Sequence, residues 1–259
     1  MKMKIIKESK SRNTKMNKYW LKSAGLNHFW MIWRIKFLLQ LLVYNKIKLN
    51  EKLKIMDLGC GNGVLSNQLE KIKKIKIDRI DSNYRTLKNN KNVKGKLICY
   101  NVSNKINKLK KFYDLIFLFD VIEHVKNDKK FLIDTLFHLK KGGYLIINVP
   151  SLQFFFSKYD YVIGHLRRYD KNNFQKITSK LNVKTVSIDY WGIFLLPLLI
   201  LRKIILFFYN KKNVDKIVKK GWETNKYLNV FMKSVLELEL KLFKKQFLGT
   251  SLMIILKKI

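Results

Sequence analysis

The residues best suited to chemistry follow a short apolar run. Leu53 to Leu58 reads as a buried strand, and it leads into Asp57-Leu58-Gly59-Cys60-Gly61-Asn62-Gly63. Three glycines at alternate positions let the chain turn tightly and let a ligand lie against bare backbone. A second carboxylate, Asp81, falls eighteen residues after Gly63, at the end of the next apolar run. A carboxylate there can accept hydrogen bonds from both hydroxyls of a ribose.

Two ligand classes compete for such a loop. A pyrophosphate binder typically carries Gly-x-Gly-x-x-Gly and sets the phosphate charge at a helix N-terminus. This loop is Gly-x-Gly-x-Gly, with an acid two residues before the first glycine. That acid is poorly matched to a pyrophosphate. It is well matched to a sulfonium-bearing amino acid, whose ammonium it would reach through water while also ordering the loop. S-adenosylmethionine is therefore the expected cofactor. A dinucleotide is the alternative ligand, and a tight turn without a ligand is the bland reading.

A second constellation lies further on, in Gly164-His165-Leu166-Arg167-Arg168-Tyr169. His165 has the type of side chain that removes a proton from a hydroxyl acceptor near neutral pH. Arg167 and Arg168 are suited to clamping a carboxylate or phosphate. The bland alternatives are a structural histidine bonded to a backbone carbonyl, and ion pairs of the arginines with Asp160 or Asp170. His124 is a second candidate base, with a capping role as its alternative. Cys60 and Cys99 are too few for a disulfide framework and lack metal-ligand spacing, so a reducing compartment and no metal are expected.

At this point the sequence resembles the class I methyltransferases. Asp57-Leu58-Gly59-Cys60-Gly61-Asn62-Gly63 looks like their first motif, and Arg79-Ile80-Asp81-Ser82 is similar to the motif whose acid holds the ribose. Tyr113-Asp114-Leu115-Ile116 and Phe119-Asp120-Val121-Ile122-Glu123-His124-Val125 resemble the fourth-strand region of the small-molecule subgroup that includes ubiquinone-biosynthesis O-methyltransferases. Leu139-Lys140-Lys141-Gly142-Gly143-Tyr144-Leu145 matches the turn that follows, and Gly-His-x-Arg-Arg-Tyr looks like a segment of a bacterial subset. The resemblance covers about residues 50 to 150. It implies that Asp57, Gly59, Gly61, Gly63, Asp81 and Ser82 bind the cofactor, and that backbone near Gly59, Phe119 and Asp120 holds its methionine part. One departure is Asn101-Val102, where the family often has an acid near the adenine amino group; an amide oxygen can still accept that hydrogen bond. Arg167, Arg168 and Tyr169 would then face the acceptor, with His165 and His124 as candidate bases.

The elements needed to position these residues follow from the hydrophobic pattern. Short apolar runs alternate with helical stretches from Leu53 onward, which argues for a parallel sheet buried on both faces. The expected fold is α/β and Rossmann-like, with seven mostly parallel strands, helices on both faces, N-terminal helices, and a helical insertion before the last strand. The expected division is a basic helical lid over 1–50, a cofactor-binding core over 51–190, an apolar helical insertion over 191–249, and a final strand over 250–259. Within it, a helix over Asp128 to Leu139 is expected to stop at Gly142-Gly143, and a long helical stretch to run roughly from Ile193 to Phe247.

Composition narrows the function classes. Apolar residues make up 47% of 259, enough for a real core, so wholesale disorder is excluded. The formal charge of +36 invites polyanions. Lysine, asparagine and isoleucine are enriched along the entire chain, though, which reads as compositional bias over solvated faces more than as a nucleic-acid patch. Two apolar segments, Phe29–Tyr44 and Trp191–Tyr209, are interrupted by charged residues or proline, and neither offers the roughly 18 apolar residues of a spanning helix. The second suits a core-facing lid or a helix resting on a bilayer, aided by Lys203, Lys211 and Lys212; Trp20, Phe29, Trp30 and Trp33 would form a facing wall. The expected partner is a small-molecule or lipid-linked acceptor methylated on oxygen more readily than carbon, in the cytoplasm or at the inner membrane face. An RNA methyltransferase and a non-catalytic cofactor-binding subunit are the alternatives.

Overall fold

Short apolar runs bounded by turn residues become strands, and the periodic stretches between them become helices. The computed structural model describes residues 4–11, 27–210, 213–222, 224–243 and 245–259. In chain order the elements are β1 (Ile5–Lys7), α1 (Phe29–Tyr44), β2 (Ile55–Leu58), α2 (Val64–Ile72), β3 (Ile77–Asp81), α3 (Tyr84–Leu87), β4 (Leu97–Cys99), β5 (Tyr113–Phe119), α4 (Asp128–His138), β6 (Leu139–Pro150), α5 (Lys158–Ile163), α6 (Lys171–Thr178), β7 (Val183–Trp191), α7 (Leu196–Phe207), α8 (Val214–Trp222), α9 (Lys226–Leu242) and β8 (Ser251–Lys258). The strands form one sheet in the order β1-β4-β3-β2-β5-β6-β8-β7. Only β8 runs against its neighbours, pairing antiparallel with β6 and β7.

Both faces of the sheet are covered, and β5 shows how. Ile116 and Leu118 join a core with Leu132 and Leu136 of α4 and Phe174 of α6. Leu115, Phe117 and Phe119 point the other way, into a core with Trp33 and Leu38 of α1, Leu65 and Leu69 of α2, and Met232 and Leu236 of α9. Each such side chain contributes about 1.5–3 kcal/mol by leaving water. A strand anchored on two sides must therefore read as a continuous apolar run, as Leu115 to Phe119 does.

Three expectations are corrected. Among the described residues the sheet has eight strands and not seven. The extra one, β1, pairs parallel with β4 at the edge, and its two isoleucines between lysines give too short a signal to read. The helix from Asp128 ends at His138, within a residue of the expected Leu139, but the glycine pair is not its stop, because β6 begins directly at Leu139. Gly142 (φ +75°) and Gly143 lie inside β6, where they accommodate the register shift against β5 between Tyr113 and Leu115. A Cβ on Gly143 would stand 2.8 Å from the Asp114 carbonyl oxygen, so Gly143 is needed for close strand packing, whereas Gly142 is favoured by its positive φ. The stretch from Ile193 to Phe247 is three helices, because Asn213 and Asn225 lie just outside α8 and α9 and Asn225 caps α9 with its side chain. Trp20, Lys211 and Lys212 lie outside the described residues, as does the stretch 12–26 of the expected N-terminal helical region.

Candidate active site

The sheet order reverses between β2 and β5, and in open α/β sheets ligands bind beyond the strand ends at such a switch. The glycine loop lies there. Gly59 N and Cys60 N donate to the Ile80 carbonyl at 2.7 and 3.1 Å, which holds the turn over the end of β3. Gly61 N donates to Asp81 Oδ2 at 3.1 Å, and the other Asp81 oxygen accepts from Asn83 N at 2.7 Å. Asn90 Nδ2 closes the far side of the turn on the Gly61 carbonyl. Asp57 sits under the loop, buried, and accepts from Ser66 Oγ at 2.6 Å.

The glycines are required for different reasons. All three have positive φ, a region that costs a side-chain-bearing residue about 1–2 kcal/mol. A Cβ on Gly59 would also stand 2.4 Å from Val121 Cγ2, whereas a Cβ on Gly61 meets nothing within 4 Å. Gly59→Ala is therefore expected to lose about 2–4 kcal/mol of stability in a urea titration. Gly61→Ala should stay folded within about 2 kcal/mol and yet lose cofactor affinity, because its methyl fills open space beside Asp81. Equal urea midpoints for the two variants would count against this division.

Burial pushes the Asp57 carboxyl up to about 6, against the opposing pull of the Ser66 hydrogen bond and of Arg79 and Arg34. Burial also raises Asp81, opposed by the backbone N–H groups of Asn83 and Gly61. Both carboxylates thus stand desolvated at the mouth of the sheet, an environment that favours a cationic ligand.

Contact between Gly59 and Val121 brings the loop against the turn after β5. Phe119 ends that strand, and Asp120 takes a left-handed conformation (φ +57°) with its carboxylate between Arg34 of α1 and Asn148 Nδ2 of β6. The Arg34 guanidinium lies 5.1 Å from the Trp30 ring and 5.3 Å from the Phe119 ring. Asn148 Oδ1 in turn accepts from Trp191 Nε1 at 2.9 Å. Arg34, Asn148 and Trp191 are site neighbours that the sequence reading missed. The available signal was a cation inside the apolar helix α1, whose buried position demands a counter-charge.

The Gly-His-x-Arg-Arg-Tyr segment packs on the same turn. Leu166 N donates to the Glu123 carbonyl, and His124 Nδ1 lies 2.9 Å from the Gly164 carbonyl oxygen. The His124 and His165 rings meet edge to face at 4.8 Å. His165 Nδ1 bonds Asp160 Oδ1 at 2.9 Å, and its Nε2 faces Glu123 Oε1 at 3.7 Å. Arg168, buried, bonds the same Asp160 oxygen through Nε and Nη2 at 2.9 and 2.8 Å. Burial would raise Asp160, but the His165 bond and the Arg168 charge outweigh it and hold the carboxyl well below its usual range. Arg167 pairs with Asp128 at 2.7 Å and with the Lys126 carbonyl, and Tyr169 OH reaches Asp128 Oδ2 at 3.3 Å.

Glu123 is the most unusual member. It is fully buried, and neither carboxylate oxygen has a hydrogen-bond partner among the described residues. Burial, and then the nearby Asp120 charge, push it well above the carboxylate range. Burial and the neighbouring His165 lower His124 to about 4, so at neutral pH it is uncharged, donating Nδ1–H to the Gly164 carbonyl and leaving Nε2 as an acceptor. Glu123, His124 and His165 each offer one ligand atom, all within 4.8 Å of one another, a donor set that a divalent metal ion could use. Distance in the sequence concealed the trio: His165 lies about forty residues after the other two. Asn101 caps the 3₁₀ turn Val102–Asn104 through Ser103 N, and its own N–H bonds Ser9 Oγ beyond β1. Ser82 lies just past β3, where its carbonyl accepts a bond from Cys99 Sγ.

Comparison with known proteins shows the family and the fold. Residues 30–188 match the family described as "Methyltransferase domain". Ubiquinone biosynthesis O-methyltransferase of Rickettsia canadensis is 33% identical over 125 residues, covering 47% of this chain and 50% of that protein. The enzyme of the same name from Rickettsia prowazekii is 30% identical over 155 residues, covering 57% and 60%. The chain thus spans about half the length of the curated relatives it matches. Among solved structures, a SAM-dependent methyltransferase from Archaeoglobus fulgidus aligns with a TM-score of 0.52 at 15% identity, over 93% of this chain and 98% of that one. The plantazolicin methyltransferase BpumL, solved with S-adenosylhomocysteine, aligns with a TM-score of 0.57 at 14% identity, over 95% and 91%. The loop, its two carboxylates and the match over most of the chain lead to one conclusion: this protein belongs to the class I S-adenosylmethionine-dependent methyltransferases, distantly homologous to the ubiquinone-biosynthesis O-methyltransferases.

Proposed function

We propose that the chain methylates an oxygen of a small apolar or lipid-linked acceptor, which lies between the glycine loop and the cluster of Glu123, His124 and His165. One observation supports this reading: Gly59 lies against Val121, which immediately precedes the short turn carrying Glu123 and His124. Open space beside Gly61 and Asp81 suits an adenosyl group, with Asp81 for the ribose, Asn101 and Val102 for the adenine, and Asp57 for the positively charged end. S-adenosylmethionine supplies a methyl group on a sulfonium whose leaving group is a neutral thioether. Holding acceptor and methyl in line, away from water, supplies much of the rate. His165, its Nδ1–H fixed by Asp160, takes the hydroxyl proton at Nε2. Glu123, kept protonated by burial, adds no competing negative charge. Arg167 and Tyr169 close the acceptor side, and Arg168 keeps Asp160 ionised. The described residues within 1–50 and 191–249 serve as walls over the 51–190 core, with 250–259 completing the sheet.

Incubating the purified chain with cell extract and methyl-labelled cofactor tests the acceptor class. Label is expected in organic-soluble material. Label in RNA would overturn the reading, and no label with intact cofactor binding would favour a non-catalytic subunit.

The Asp57 environment adds a pH test. Folding raises this carboxyl above its unfolded value, so ionising it costs stability. That cost grows from about pH 4 to about pH 6 and is then constant. A cationic cofactor offsets the cost, so binding should favour the ionised form. One pH unit below a pKa of about 6 leaves about a tenth of the group charged, and S-adenosylmethionine affinity is expected to fall about tenfold from pH 7 to pH 5. Asp57→Asn should flatten the profile. A flat profile in the unsubstituted chain would remove Asp57 from the charge-matching role.

A further inference from the structure

The insertion between β7 and β8 carries an apolar surface that the active site does not use. Helix α7 buries Leu196, Leu199 and Leu206. Its other face turns Leu198, Leu201, Ile204, Ile205 and Phe207 outward and ends in Phe208, which is 81% exposed. Phe154, 79% exposed in the turn after β6, continues the ridge. Lys203 lies over its ring at 4.6 Å and bonds its carbonyl. Lys158 lies over the Phe207 ring at 5.2 Å and bonds the Phe207 and Tyr209 carbonyls. Between the two lysines is a cavity of about 250 Å³ lined by Phe156, Ser157, Lys158, Tyr161, Lys203 and Phe207.

A contiguous apolar face of this kind marks an interaction surface. Its chemistry selects the partner. Twelve helical residues extend about 18 Å, too short for a hydrocarbon core of about 30 Å. Among the described residues no helix is long and apolar enough to cross a membrane. Aliphatic and phenyl side chains on one face with lysines at the rim fit a helix lying in the plane of a bilayer interface. An ammonium has three donors; the bonds above occupy one on Lys203 and two on Lys158, leaving capacity for a phosphate on each. A second copy of the chain is a poor occupant, since it would bring +36 against +36 and oppose the rim lysines across a twofold axis. Anionic headgroups remove both objections.

We propose that α7, with Phe154, Phe207 and Phe208, docks on an anionic lipid surface, and that Lys158 and Lys203 bind headgroup phosphates at its edge. This inference does not depend on the identity of the acceptor.

Vesicle sedimentation of the full chain tests it, using phosphatidylcholine alone and phosphatidylcholine mixed with phosphatidylglycerol. Binding is expected to require the anionic lipid. The triple substitution Leu201→Ser, Ile204→Ser, Phe208→Ser should weaken it about 100-fold. Lys158→Glu with Lys203→Glu should weaken binding to the mixed vesicles more than the charge change elsewhere, at Lys180→Glu with Lys184→Glu. Because the substituted apolar residues are exposed, urea midpoints and S-adenosylhomocysteine affinity should stay unchanged, which separates this proposal from the methyl-transfer reading. Triple-serine protein that binds like the parent chain would reduce the effect to net charge. A concentration-dependent dimer abolished by the triple substitution would assign the ridge to a second copy, and either result overturns the proposal.

Discussion

Asp81→Ala is expected to weaken S-adenosylhomocysteine binding about 100- to 10,000-fold, measured by titration calorimetry. Two hydrogen bonds from ribose hydroxyls to a carboxylate contribute about 1.5–3 kcal/mol each, and neither survives truncation. The carboxylate does two jobs, since Oδ2 already holds Gly61 N and Oδ1 holds Asn83 N. Alanine therefore also loosens the turn. Asp81→Asn separates the two effects. Its amide oxygen keeps one backbone bond and one ribose bond, so its affinity should lie between those of the parent chain and the alanine variant. The turn lies on buried Ile80 of β3 and is also held by Asn90, so the fold should persist in both. Affinity unchanged in Asp81→Ala would place the ribose elsewhere and break the assignment of the loop.

The grouping of the glycine loop with its two carboxylates was legible in the sequence because these residues are local. Asp57, the glycines and Asp81 lie within two successive strand–helix units, and the sheet register that pairs Asp57 with Arg79 leaves Asp81 just past the end of β2, beside the loop. The alternation of strands and helices fixed the α/β class for the same reason, since a strand buried on both faces must be apolar throughout. The cluster of Glu123, His124 and His165 was less legible because its members meet only in three dimensions. Nothing near Glu123 in the sequence announces that it will be buried opposite His165, and nothing in α1 announces that Arg34 will reach Asp120. The two-isoleucine strand β1 and the glycine pair inside β6 were misread because tertiary pairing, not local preference, decides their conformation.

His165→Ala carries the other large expectation: turnover on the labelled acceptor should fall between 100- and 10,000-fold, the range for losing a positioned base. S-adenosylhomocysteine affinity should stay within about twofold, since the ring bonds Asp160 and lies against Glu123 and His124. A merely structural role would also lower turnover if the Gly164–Tyr169 segment shifted, so the decisive reading is rescue. Removing the ring leaves a space beside an ionised Asp160 that Arg168 and Ser157 still hold. Added imidazole can occupy that space, donate one N–H to Asp160 and present its second nitrogen to the acceptor. Rate restored in proportion to imidazole concentration identifies proton removal as the lost step. Asp160→Asn is the poorer probe, because it strands the buried Arg168 without a counter-charge and is expected to cost about 3–5 kcal/mol of stability before any effect on rate is read. A His165→Ala chain that turns over within about threefold of the parent would mean that the acceptor arrives already ionised or methylates without a base, and that His165 serves only to tie Asp160 to the turn after β5.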